Sequence, residues 1–226
     1  MIRNQNTFQA LDGTAIFVLD NNANLWLDIT PLTRTQVDFT VWRFQALSDT
    51  EIVVLGFDRH LWLEHGPFTG TMPPPREHID LAIDQFQAIT DTEIFILGTD
   101  GNLWLTKGPF GTAQQTKVQV DSGVKAFEAL SDNEILILST NGVLWFASGP
   151  FGSVPPRRQE VEENVTAFQA ISSTKVMVLT ADSNLWLAHN LTSLGHYLPS
   201  LYFAYNTGGS IPETVSTDFN TVLKTT

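Results

Sequence analysis

Short apolar runs rich in β-branched and aromatic residues recur along this chain, each bounded by Asp, Asn, Gly or Ser. Phe-Gln-Ala, or a close variant, starts at Phe8, Phe44, Phe86, Phe127 and Phe168, in steps of 36, 42, 41 and 41. A tryptophan follows each phenylalanine by 18 residues, at Trp26, Trp62, Trp104, Trp145 and Trp186. A spacing held through five copies means that the structure between the two aromatics is the same each time. Between them, Glu93-Ile94-Phe95-Ile96-Leu97-Gly98 reads as a strand, matched by residues 51–56 and 134–139. Asp100-Gly101 then leads into Asn102-Leu103-Trp104-Leu105, a hairpin signal whose equivalents are Asn22-Ala23, Asp58-Arg59, Asn141-Gly142 and Asp182-Ser183. Val37-Asp38, Ile79-Asp80, Val120-Asp121 and Val161-Glu162 mark one more short strand, its acid six residues before the next phenylalanine.

Four strands in a repeat of about 41 residues predict an all-β fold, a five-bladed β-propeller with four antiparallel strands per blade. The propeller is expected over residues 1–205, with repeats near 1–36, 37–78, 79–119, 120–160 and 161–205, and a C-terminal tail at 206–226. A solenoid is the rival geometry, but no capping repeat is evident and four strands per unit suit a blade. The first copy has no Val-Asp strand ahead of Phe8. The segment Tyr197–Tyr205 is therefore expected to complete the first blade and close the ring.

Length variation falls between each tryptophan and the next Val/Ile-Asp pair. There the chain reads His65-Gly66-Pro67-Phe68, Lys107-Gly108-Pro109-Phe110 and Ser148-Gly149-Pro150-Phe151, followed in two copies by Pro73-Pro74-Pro75-Arg76 and Pro155-Pro156-Arg157. Gly and Pro pre-order such a loop and lower the entropy lost on binding. Phe68, Phe110 and Phe151, with Arg76, Lys117 and Arg157, are the candidate ligand contacts; the alternative is that each phenylalanine plugs the core beneath its own loop. Trp62, Trp104 and Trp145 are candidate stacking platforms, although Leu-Trp-Leu within a two-sided sheet also suits a core role. Trp42 faces Asp84, Lys125 and Thr166 in the other copies and is the tryptophan expected to be exposed.

The recurring glutamine (Gln9, Gln45, Gln87, Gln169, with Glu128 in the fourth copy) is expected to bond neighbouring backbone. No catalytic or metal-binding residues are predicted, and no cofactor. The repeated carboxylates Glu51, Glu93 and Glu134, and Asp38, Asp80, Asp121 and Glu162, respect the symmetry that a catalytic pair would break. His60 and His65 point to opposite sides of a strand, poor zinc geometry.

Twelve basic against twenty-four acidic residues give a formal charge of −12. Such a surface repels phosphate backbones and anionic headgroups, which argues against nucleic-acid and membrane binding. With no cysteine, disulfides and thiolate chemistry are excluded. No basic segment followed by an apolar stretch opens the sequence, so a cytoplasmic place, or release without a classical signal peptide, is expected.

The phenylalanine strand, the hairpin through Asp/Asn-Gly-Asn-Leu-Trp, the Pro-Pro loop and the short apolar strand after it resemble the layout of tachylectin-type and tectonin-like propeller lectins. The likeness spans residues 1 to 205. It implies a multivalent carbohydrate-binding lectin with several equivalent sites between blades or on blade loops, and glycans or glycoproteins as partners. The other class open to a WD-like repeat array is a non-enzymatic protein-interaction scaffold or inhibitor that uses the propeller face. Equivalent sites in every copy favour the first, and a patch in one sector the second.

Overall fold

A computed structural model describes residues 8–11, 15–29, 33–70, 72–152, 157–189, 191 and 202–203. The first sheet comprises β1 (Phe8–Ala10), β2 (Ala15–Leu19), β3 (Leu25–Ile29) and β4 (Thr33–Asp38). The second holds β5 (Val41–Ala46), β6 (Glu51–Gly56), β7 (Leu61–His65) and β8 (Arg76–Asp80). The third holds β9 (Ile83–Ala88), β10 (Glu93–Gly98), β11 (Leu103–Lys107) and β12 (Thr116–Asp121). The fourth holds β13 (Val124–Ala129), β14 (Glu134–Ser139), β15 (Leu144–Ser148) and β16 (Arg157–Glu162). The fifth holds β17 (Val165–Ser172), β18 (Lys175–Thr180), β19 (Leu185–His189) and β20 (Tyr202–Phe203). Every sheet is an antiparallel meander in chain order, so all five repeats form the blade-like unit that the spacing predicts.

Two expectations are corrected. The Val/Ile-Asp strand is the last strand of its sheet, not the first of the next: β4, β8, β12 and β16 pair back onto β3, β7, β11 and β15. Its acid instead caps the turn into the following sheet, where Asp38, Asp80 and Asp121 Oδ1 accept the next N–H at 2.8–2.9 Å. The residue after that takes positive φ: Thr40 at 57°, Ala82 at 57°, Gly123 at 65° and Asn164 at 55°. The C-terminal strand also lies elsewhere than expected. Tyr202 and Phe203 pair with Trp186 and Leu185 in the fifth sheet, while the first sheet takes all four strands from its own copy. The edge left open by β19 is the nearest one along the chain, and β20 fills it.

The chain divides into two compact units, 1–122 and 123–226. Within the first, successive sheets are stitched by backbone bonds at their turns: Val41 N to Ala23 O at 3.0 Å, Phe57 N to Thr40 O at 3.1 Å, Ile83 N to Arg59 O at 3.1 Å and Thr99 N to Ala82 O at 2.8 Å. The recurring glutamine adds a second stitch. Gln9 bonds both the O and N of Ala46 at 2.7 and 2.8 Å, and Gln45 does the same to Ala88 at 2.8 and 2.9 Å. Within the second unit, Glu128 accepts from Ala170 N at 2.8 Å, and a carboxylate makes only the accepting half of that pair.

In the second, third and fourth sheets the second strand is the heart of the sheet, whereas β2 and β18 alternate and leave Ile16 and Leu179 exposed. Ile52–Leu55, Ile94–Leu97 and Ile135–Leu138 are all buried, which explains why these segments are continuously apolar instead of alternating. Each such side chain contributes about 1.5–3 kcal/mol of burial. Among the described residues there are no helices, and none long and apolar enough to cross a membrane.

Candidate functional site

The column tryptophans stand on each third strand; in the first four sheets the flanking apolar residues, Leu on both sides or Leu144 and Phe146 around Trp145, are buried and the indole is left half-buried. Two residues along the outer strand, on the same face, stands a cation. Arg34 lies 5.7 Å from the Trp26 ring centroid, Arg76 4.2 Å from Trp62, Lys117 4.8 Å from Trp104 and Arg158 4.6 Å from Trp145. Each is opposed to the residue two after its tryptophan, at Asp28, Glu64, Thr106 and Ala147. Arg76 and Lys117 thus sit where a site on Trp62 and Trp104 would need them. Arg157 does not: the strand alternates, and Arg158 has the register over Trp145. A cation on a half-buried indole is worth about 0.5–1 kcal/mol, and it occupies the face on which a sugar would stack. Two indole N–H groups are also engaged, that of Trp186 donating to Thr180 Oγ1 at 3.3 Å. Trp26 donates to Asp20 at 2.9 Å, and this bond, with others from Asn24 and Asn22, lowers the Asp20 pKa to about 2.

The three loop phenylalanines separate by burial. Phe110 is 1% exposed and belongs to the core cluster of the second and third sheets. Phe68 is half-buried, edge-on to Phe17 at 5.9 Å, and Phe151 is half-buried as well. Their Gly-Pro segments dock identically, Gly66, Gly108 and Gly149 N donating to Thr50, Thr92 and Asn133 O at 2.7–2.8 Å. Pro155 and Pro156 lie outside the described residues, as does the tail. At the same loop entrance Lys107 pairs with Glu93, and His65 stands 3.6 Å from Glu51. Two of the repeated carboxylates therefore have a structural partner.

Trp42 is half-buried and packs on the second core cluster, contrary to its expected exposure. Arg59 covers it at 3.8 Å and Arg43 approaches at 5.3 Å; Arg59 also bonds Asp84 at 3.0 Å. Three of the exposed apolar side chains lie on the turns next to these residues in the chain, the others being Phe8, Ile16 and Ile29 in the first sheet and Ile171 and Leu179 in the fifth. Phe39 is 47% exposed, Phe57 57% and Leu81 57%. Their turns adjoin, because the 56–59 hairpin bonds residue 40 on one side and residue 83 on the other. Spacing along the sequence does not signal this cluster, since the three residues occupy two different repeat columns.

His60 Nδ1 and His78 Nε2 lie 3.1 Å apart beside Trp62. Burial and the neighbouring His60 lower the His78 pKa. The partner of His60 is thus on the adjacent strand, a pairing hidden from a search along one strand. In the second unit an open depression of ≈ 510 Å³ is lined by residues 160–164, three of them acidic. Among the described residues no group of three or more metal-ligating side chains gathers.

The fold is that of a β-propeller. The WD40 propeller domain of Doa1 superposes with TM-score 0.55 at 12% identity, over 82% of this chain and 64% of that one. The C-terminal WD40 domain of Sif2 gives 0.53 at 17%, over 81% and 54%. The N-terminal domain of Nup159 gives 0.54 at 10%, over 78% and 56%. This chain thus spans little more than half of the latter two structures. No family model and no curated protein matches the sequence.

Proposed function

We propose that this propeller is a non-enzymatic interaction module that binds a protein partner through the turn-end face of its second sheet. The observation that carries this reading is the continuous exposure of Phe39, Phe57 and Leu81 on three hydrogen-bonded turns. The equivalent positions elsewhere are Ser122 and Glu163 for Phe39 and Leu81, and Asn21, Thr99, Thr140 and Ala181 for Phe57. Within these two turn columns, large apolar side chains are therefore confined to the turns that flank the second sheet. Aromatic side chains ringed by arginine are the composition of interface centres, and Arg59, held between Trp42 and Asp84, comes pre-ordered. The charge of −12 suits a basic partner, which it would steer at low salt. The interaction reading is better supported than carbohydrate binding at equivalent sites, because four indole faces already carry a cation.

Quantitative affinity capture with the wild type and with a Phe39→Ser, Phe57→Thr, Leu81→Ser variant tests the proposal. A partner retained by the wild type should bind the purified variant about 30-fold or more weakly, with melting unchanged. Binding on a glycan array that survives the triple substitution would return the carbohydrate reading to first place.

A further inference from the structure

In the first and third sheets, one side-chain bond joins the residue two before the tryptophan to the outer-strand residue opposite the tryptophan. Gln36 Nε2 donates to Asn24 Oδ1 at 3.2 Å, and Gln119 Nε2 donates to Asn102 Oδ1 at 3.1 Å. In the second sheet both positions are histidine, and the gap is the same. An amide pair can only bond. Two imidazoles in that place offer a nitrogen lone pair each, and neutral imidazole is the commonest metal ligand.

Two nitrogens bound to one ion at about 2.0–2.1 Å stand about 2.8–3.4 Å apart for angles between a right angle and the tetrahedral value. The observed 3.1 Å falls within that range. We propose that His60 and His78 form a two-imidazole site for a divalent transition-metal ion of the Cu²⁺ or Zn²⁺ kind, built into the second sheet where its neighbours have an amide pair.

The rings are held before any ion arrives. Asp58 Oδ1 accepts from His60 N at 3.1 Å, and His60 O accepts from Gly56 N at 3.0 Å. The His60 ring stacks on Trp62 at 6.1 Å and 15°, and His78, in register with Trp62, meets it edge-on at 4.7 Å. Asp58 and Asp80 add negative charge around His78. Without an ion, one ring directs its N–H into the gap. On binding, that proton moves to the other nitrogen of the same ring, so both rings stay neutral and both lone pairs face the ion. Water completes the coordination, leaving open positions that a partner's side chain or a small ligand could take.

The untagged full chain should bind one equivalent of Cu²⁺, and Zn²⁺ more weakly, in calorimetry. Cu²⁺ should quench tryptophan emission, because Trp62 touches both rings. The His60→Asn, His78→Gln variant installs the first sheet's amide pair. It should melt normally and lose more affinity than the roughly 10–100-fold that outer-shell changes cost. Unchanged affinity in this variant, or a wild type that binds neither ion, overturns the proposal. The wild type also provides a test that needs no variant: on Zn²⁺ addition the ring resonances of His60 and His78 should move together. Shifts confined to His65, His189 or His196 count against the site.

Discussion

Glu64 stands where the first sheet carries Asp28 and the third, fourth and fifth carry Thr106, Ala147 and Ala188. Its side chain is fully buried, and neither carboxyl oxygen meets a hydrogen-bond donor. Arg76 approaches only to 3.9 Å. Burial first, and the neighbouring Asp38 second, raise its pKa from 4.5 to about 9, against the pull of Arg76. The folded chain therefore holds a proton that the unfolded chain has already released. Stability is fully kept below the unfolded value and falls as pH rises from there towards about 9. Urea unfolding of the wild type should lose on the order of 1–3 kcal/mol between about pH 5.5 and pH 8.5 relative to Glu64→Gln. Parallel pH profiles for the two proteins would show that Glu64 does not titrate in this window. The sequence places Glu64 in one column with the acid Asp28, which is partly exposed and paired with Arg34; the burial of Glu64 depends on the packing of the surrounding sheets, which alternation within one strand does not convey.

Hairpins are the elements most fully legible in the chain. Their turns were expected to take positive φ at the Asp or Asn as well as at the residue after it, and the structure takes it only at the second: Ala23 at 65°, Arg59 at 66°, Gly101 at 78°, Gly142 at 85° and Ser183 at 67°. In the second and third sheets the turn acid folds back so tightly that Asp58 and Asp100 Oδ1 fall 2.4 and 2.5 Å from where a Cβ on Gly56 or Gly98 would stand. Positive φ costs a side-chain-bearing residue about 1–2 kcal/mol, of which glycine's own chain entropy returns part. Ala23→Gly and Ser183→Gly should each stabilise by about 0.5–1 kcal/mol in denaturant melts, whereas Gly101→Ala should destabilise. A destabilised Ala23→Gly would mean that the turn is not strained. The Gly-Pro-Phe loops were less legible. Composition indicated a rigid loop with an anchored or exposed phenylalanine, and only the neighbouring sheet decided for the buried one at Phe110.

At the scale of the whole chain, the C-terminal strand distinguishes two pairings. Closure of the first sheet would make residues 197–226 essential to β1–β4, whereas the observed ladder ties β20 to β19. Ending the chain after residue 196 should therefore speed amide hydrogen exchange at Leu185 and its β19 neighbours, and leave β5 to β12 as protected as before. Lost protection in β1 to β4 would restore the original pairing. The cause is the neighbour-by-neighbour stability of a repeat array, in which removing one edge loosens what it touches.

Turn chemistry and the period of apolar residues lie within about 41 consecutive residues, so the sequence alone determined the five units, their four strands, the hairpins and the buried second strands of the second, third and fourth sheets. Which side chains and strands meet was decided only by the folded structure. The cases are the sheet that β20 joins, the choice of Arg158 over Arg157 on Trp145, the meeting of His60 with His78, and the adjoining of the turns that carry Phe39, Phe57 and Leu81. The physical reason is that a repeat specifies each strand's faces, while the partner of a given side chain depends on register and on the next sheet, neither of which spacing within one copy contains.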